Sequence, residues 1–532
     1  MAEVKALENL LAQGKISRRD FLTHLSALGI TAVLAPTFFP APAQAKKPQK
    51  GGRLRLGLGG GSTTDSLDPA TMTDAMAYNI NWQVRNCLTE VDCENNIVPE
   101  LAISWDSSTD VKKWTFKLRP GVEFHNGKSL EADDVVFSIN HHRGKNSKSA
   151  AKSIVDPIED IKIDNKHTVV FYLREANADF PFVLSDPHLP IVPAGTERTD
   201  WEKGIGTGGY ILHEWEPGYR AFAKRNPNYW KENRAHFDEV ETIGIANATD
   251  RVVALNTAQI NAMNRFQLNL THLIPRARDI QIINITGTKH YSMPMLTDRE
   301  PFNNNDVRLA LKYAIDREHL LKKILRGYGT VGNDHPIAPS QKCHASELPQ
   351  RTYDPDQARF LMKKAGMSDY TFGLHVADAA WPGADAAAAA MLYKEHAAKA
   401  GIKIEVILTS DNGYWDKVWM KKPWVMCYWS GRATADWMLS TAYAADSPWN
   451  DTFWKHERFN LLLKEARAET NDAKRRELYV ECQRILNQEG GVIIPMFANI
   501  VEVASRRLNI KNPAGNWEMD GHRAAERWWF ES

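Results

Sequence analysis

Cysteine is scarce in this chain, at five among 532 residues. A disulfide scaffold needs a dense set of paired cysteines, so the fold must rest on apolar packing, and an odd count leaves at least one thiol free unless chains pair. Excess charge of one sign is also missing: 66 Lys and Arg stand against 65 Asp and Glu. A nucleic-acid partner calls for a basic face, so none is expected. Beyond the first 45 residues no apolar run approaches the roughly 18–20 residues of a membrane span. The chain carries no G-x-S-x-G elbow, no Cys-His signature and no H-E-x-x-H, and no cofactor or metal is expected from motifs.

What is present begins with "KISRRDFLTHLSALGITAVLAPTFFPAPAQA" from Lys15. Arg18 and Arg19 precede an uncharged stretch from Phe21 that ends in Ala43-Gln44-Ala45. This pattern reads as a twin-arginine export signal cleaved after Ala45. Pro36, Pro40 and Pro42 and the weak hydrophobicity argue against an anchor. The segment holds Lys5, Lys15, Arg18 and Arg19 against Glu3, Glu8 and Asp20, so the rest of the chain has no net formal charge. A freely diffusing periplasmic protein is expected. The roughly 490 residues that follow exceed one core and imply two or more lobes.

Arg53 to Gly57 alternates as a strand and runs into "LGGGSTTDSLDPA". The spacing of those glycines does not fit a phosphate loop; they signal close backbone approach to another segment or to a ligand. Strands with Pro-Gly and Asn-Gly turns follow through Leu173, with one helix from "EADDVVFSIN", whose acidic first turn suits the helix dipole. Cys87 and Cys93 flank an expected hairpin and could bridge in an oxidising compartment. From Asp306, "DVRLALKYAIDREHLLKKIL" places Val307, Leu311, Ala314, Ile315 and Leu321 on one helical stripe ending at Gly327. Asp354-Pro355 opens another helix that Gly366 closes. "YTFGLHVAD", an alanine-rich helix and "IKIEVILTS" make a βαβ unit, and helices over 460–468 and 473–487 precede "GGVIIPMFANIVEVAS".

Taken in order, several of these segments resemble one family, the family 5 extracytoplasmic solute-binding proteins of peptide- and nickel-type ABC importers. The resemblance is carried by Leu67-Asp68-Pro69, "PELAISW" from Pro99, "FKLRPGVEFHNGKSLEADDVVFSI" from Phe116, "GTGGY" from Gly206, "RNPNYW" from Arg225, "VRLALKYAIDRE" from Val307 and "YDPDQARFLMKKAG" from Tyr353. It implies an α/β, two-lobe periplasmic-binding-protein fold with a hinge and an extra subdomain in the first lobe. On that basis residues 46–294 plus 498–532 form lobe I and 295–497 form lobe II, with crossings near Met293–Thr297 and Ile494–Ala498. A monomer that carries a small solute to an inner-membrane permease is implied.

The resemblance also directs attention to "VMCYWSGRATADWMLSTAYA" from Val425. Peptide-binding relatives place an aspartate after a W-x-(A/G) pattern to hold a peptide's ammonium group, and here "WSGR" puts Arg432 in that position. A guanidinium taken out of water needs an anion or several acceptors, and a ligand carboxylate, sulfonate or phosphate meets that need. The alternative is an internal pair with Asp436 or Asp446. Asp436 could itself take a ligand amine. Trp429, Trp437, Trp381 and Trp415 sit in or beside loops and could stack on a solute, although each could instead be core. Ser62 and Thr63 are candidate donors, because the family brings that loop to the cleft. The solute is then a peptide or peptide-like molecule, with anionic and N-modified amino acids among the candidates.

Two other readings stand beside this one. A nickel or haem carrier would use histidine, but the sequence offers no tight ligand set beyond the adjacent His141 and His142, which point about 100° apart on a helix and read as solvated surface residues. An exported enzyme would need a catalytic constellation that no motif supplies.

Overall fold

The Arg53–Leu58 strand alternates cation and leucine, and Leu54, Leu56 and Leu58 are the buried face that the alternation predicts. It runs parallel to the Glu239–Gly244 and Ala262–Met263 strands inside a seven-stranded sheet. The sheet order is 280–285, 500–505, 262–263, 53–58, 239–244, 220–225, 210–216. A computed structural model describes residues 48–196, 198–274, 279–411 and 413–531. The export signal over residues 1–45 lies outside the described residues.

Between the first strand of this sheet and its Tyr210–Glu216 strand the chain builds a separate four-stranded antiparallel sheet, ordered 102–107, 113–118, 168–173, 158–165. The Ala132–Asn140 helix covers it. Its start is held by a capping box between Glu131 and Asp134, so Asp134, which the sequence assigns to the dipole alone, is a buried cap that also accepts the Ala194 N–H at 2.7 Å. Trp114, Phe116, Phe171 and Phe180 pack this subdomain's own core.

The second main sheet is ordered 329–331, 492–498, 290–294, 427–429. Beside it the Thr371–Val376 and Lys403–Leu408 strands pair in parallel, joined by the Ala386–Ala398 helix as the βαβ pattern predicts. A parallel bridge from His375 to Val425 ties this pair to the Cys427–Trp429 side of the sheet. Tyr291, Trp381, Tyr393 and Trp424 sit at the centre of the resulting core. No helix among the described residues is long and apolar enough to cross a membrane.

The chain passes between the two main sheets twice. The first passage lies at 286–289, after the Ile280–Ile285 strand and before His290–Pro294. The second is the single residue Asn499, whose side chain donates to Asn284 at 2.8 Å. The sequence places these passages at Met293–Thr297 and Ile494–Ala498. It is late at the first because the buried run His290–Pro294 belongs to the second sheet. Gly287 fits the first passage because a Cβ there would stand 3.0 Å from the Ala498 carbonyl.

Two local expectations change. The single helix expected from Asp306 is two helices, Asn305–Tyr313 and Arg317–Ile324, because Asp316 caps the second by accepting the His319 N–H at 2.9 Å. Val307, Leu311, Ala314 and Ile315 are buried as the stripe requires, but Leu320 rather than Leu321 is the fully buried residue of the second helix. The cysteines are all free thiols. Cys87 is buried and donates to the Asp186 carbonyl at 3.3 Å, whereas Cys93 is exposed in the turn between the Thr89–Val91 and Ile97–Pro99 strands.

Candidate ligand-binding site

The Cys427–Trp429 strand ends in Ser430-Gly431-Arg432-Ala433, and Thr434 then caps the Ala435–Tyr443 helix by accepting the Trp437 N–H at 3.2 Å. Gly431 sits at φ +80°, and a Cβ there would lie 2.1 Å from the Thr288 hydroxyl. Only glycine makes that turn. The Arg432 side chain makes one hydrogen bond among the described residues, to the Gly431 carbonyl at 2.7 Å. Its Cζ stands 6.0 Å from the Trp429 ring centre and 5.9 Å from that of Trp437. Burial lowers the guanidinium pKa, and the Asp186 carboxylate opposes that shift. Asp186 in turn takes His188 Nδ1 at 2.7 Å, so its charge is already shared.

Arg432 borders two spaces. One is a narrow space of about 30 Å³, walled by Arg432, Trp437, Asp186, Trp82, Trp517 and Arg523. That is room for about one water. The other is an open bowl of about 300 Å³, walled by Trp415, Trp419, Trp429, Trp449 and Tyr428, with Arg432 at its side. Neighbouring rings meet steeply, Trp415 with Trp419 at 79° and Trp419 with Trp449 at 87°. Beneath the bowl Asp451 is buried, and burial raises its pKa to about 7 although the Trp419 indole N–H reaches it at 3.2 Å.

The residues singled out in the sequence separate accordingly. Arg432, Trp429, Trp437 and Trp415 all line one of these two spaces. Asp436 does not face Arg432: it is buried and bound by Arg467 at 3.1 and 3.2 Å, so its charge is already compensated inside the protein. The alternative pair of Arg432 with Asp436 is therefore not formed. Trp381 is core; it is 0% exposed, stacks on Tyr291 at 4.7 Å and donates to the Ser292 carbonyl at 3.3 Å. Its neighbours Pro382 and Gly383 suggest a loop ring, but the Tyr291 face claims it. Ser62 and Thr63 are exposed and line neither space; the Ser62 N–H and hydroxyl are engaged by Asp65 and Thr64 at 2.8 and 2.9 Å. The neighbouring Gly61 and Gly60 approach Met76, Gly218, Arg265 and Asp74, so the close approach signalled by those glycines is to other chain segments.

Sequence reasoning misses Trp419, Trp449, Trp82, Trp517, Tyr428 and Asp186. Trp449 follows Pro448 and Trp419 lies in a short Lys-rich loop, the setting in which the abundant tryptophans are suspect. Asp186 gives no signal. The histidines also differ from the reading: His142 is buried with Nδ1 at 2.6 Å from the Ser149 hydroxyl, and His141 meets Asp68 at 2.8 Å. A tighter cluster comes from distant residues, since ligand atoms of Asp316, His319 and His396 lie within 4.8 Å of one another. Those donors are turned on each other: His319 Nδ1 is 3.0 Å from His396 Nε2, and the Asp316 N–H donates to His396 Nδ1 at 3.3 Å.

The family profile "Bacterial extracellular solute-binding proteins, family 5 Middle" matches residues 96–451, two thirds of the chain. The chain belongs to this family. Among similar proteins, the di/tripeptide-binding protein 1 of Pseudomonas aeruginosa is 26% identical over 86% of this chain and 92% of its own length. A glutathione-binding protein, GsiB, of Escherichia coli is 25% identical over 95% and 98%. The Helicobacter pylori periplasmic binding protein DppA, solved with the peptide STSA, superposes with a TM-score of 0.73 at 23% identity, over 91% of this chain and 99% of that one. This family 5 protein therefore has the two-lobe binding-protein fold and is the substrate-binding component of an ABC importer. Family 5 members work outside the cytoplasm and bind solutes rather than transform them.

Proposed function

We propose that this protein captures a small peptide-like solute bearing an anionic group, such as an N-modified amino acid, between its lobes and delivers it to the permease unchanged. The single observation that carries this reading is Arg432, a guanidinium held in a wall of tryptophans with one backbone acceptor of its own. A half-buried guanidinium has five donors to satisfy, and a ligand anion satisfies two of them in one bidentate contact. With the passages at 286–289 and Asn499, lobe I takes 48–285 and 500–531 and lobe II takes 290–498. Closure is helped by a seam across the cleft: the Ala178 N–H donates to the Arg467 carbonyl at 2.8 Å and Arg475 meets Asp179 at 3.2 Å. Closing over a solute strengthens its polar contacts and gives a permease two shapes to distinguish. The protein reaches the periplasm as a monomer by the twin-arginine route, with cleavage near Ala45.

The test is calorimetry on the solute identified by mass spectrometry of the purified protein. Arg432→Ala is expected to weaken binding by about 2 kcal/mol or more. Unchanged affinity overturns the role of Arg432, and a wild-type protein that binds no solute overturns the reading.

A further inference from the structure

Resting on the reading of Arg432 as an anion anchor, we infer that the solute also carries an aromatic ring, which enters the tryptophan bowl. Among the described residues Arg432 alone borders both the narrow charged space and the open bowl. A solute anchored there by its anion has the bowl within reach, since the guanidinium is 6.0 Å from the Trp429 ring centre. The space suffices: an apolar cavity of about 150 Å³ holds benzene, and the bowl offers about 300 Å³.

The lining decides which kind of group fits. Aromatic rings attract one another face to edge or offset, and the steep angles between Trp415, Trp419 and Trp449 present both edges and faces to a guest. A quaternary ammonium would also value the ring faces. It is disfavoured here because Arg432 already lies over Trp429, and the acid below, Asp451, is buried and engaged by the Trp419 indole. A sugar-like ring needs partners for each hydroxyl that leaves water. Among the wall side chains only the Ser430 and Tyr428 hydroxyls offer oxygen acceptors, since the indoles and Arg432 can only donate. The guest is therefore an aryl group joined to a carboxylate or similar anion.

The experiment titrates the full-length protein, freed of copurified solute, with phenylpropionate, indolepropionate, the neutral amides of both, cyclohexylpropionate, glucuronate and alanyl-alanine, following heat and tryptophan fluorescence. Aryl carboxylates are expected to bind, to weaken at least about tenfold as amides, and to weaken at least about tenfold in Trp449→Ala. Trp449 is 50% exposed, so that variant is expected to keep its circular dichroism and melting temperature. Trp415→Ala, at a ring 38% exposed, provides a second variant. The inference is overturned if cyclohexylpropionate, glucuronate or alanyl-alanine binds as tightly as the aryl acids, or if both tryptophan variants bind aryl acids unchanged. Either result leaves solute capture intact. Failure of the protein to bind any solute, including the one that copurifies with it, removes the underlying reading instead.

Discussion

Two arginines in this molecule are oppositely served, Arg523 fully buried at 4% exposure and Arg432 half-buried beside an open space. Arg523 donates to Glu100 at 2.8 and 3.0 Å and to Glu526 at 2.8 Å, within a buried network that also holds Lys231 and Arg527 against Glu90 and Asp520. Burial works against its charge, but Glu100, Glu90 and Glu526 raise its pKa well above the usual value. Arg432 has the same chemistry and one backbone acceptor, and burial wins. Burial alone does not mark a binding residue. The balance between a charge and its partners does, because evolution of a stable core pairs what it buries. The network ties the C-terminal tail to Glu90 and Glu100, while Arg432 keeps donor capacity that the proposed function assigns to a guest.

The strongest test of this contrast removes a partner from the network. Glu100→Ala leaves Arg523 and Lys231 short of an acid and is expected to destabilise the fold by about 3–5 kcal/mol, read as a shift in urea midpoint. A shift below 1 kcal/mol would mean the network is slack and the comparison false. At Arg432 the expectation is reversed. Arg432→Met should change the stability of the solute-free protein by less than about 1 kcal/mol, or raise it, while ligand affinity falls by about 2 kcal/mol or more.

A third test uses an acid without a cation. Glu502 is 0% exposed and accepts the Met519 N–H, and burial raises its pKa to about 8, with Glu518 and Asp520 adding to the shift. The native carboxyl therefore keeps a proton that the unfolded chain releases near pH 4.5. Between those values the native state binds more protons, so stability is expected to fall as pH rises, by up to about 1.4 kcal/mol per pH unit. Urea midpoints at pH 5.5 and 7.5 should converge in Glu502→Gln relative to wild type. The smallest effect concerns the thiols: with Cys87 buried on the Asp186 carbonyl and Cys93 exposed, a reducing agent should leave the unfolding midpoint unchanged.

Much of the architecture is legible from local pattern. The leucines of Arg53–Leu58, the βαβ unit of 371–408 and the caps Asp354 and Asn471 all act through neighbours a few residues away. The site is only half legible. Arg432, Trp429 and Trp437 lie within nine residues of one another and are found together, whereas Trp82 and Asp186 come from distant segments and carry no local mark. The misreadings have one cause. Whether Trp381 faces solvent or Tyr291, and whether Asp436 meets Arg432 or Arg467, depends on residues about 31 to 90 positions away.

The amino-acid order by itself determined the family, the α/β alternation, the lack of a disulfide scaffold and the placing of a guanidinium at position 432. These follow from periodicity, composition and short-range capping, which need no knowledge of the partner segment. Only the tertiary structure decided that Asp436 is already spent on Arg467, that Arg432 is not, and that four tryptophans from three chain segments stand around one space. Charge pairing and ring packing are contacts between elements remote in the chain, so they exist only once the lobes are folded.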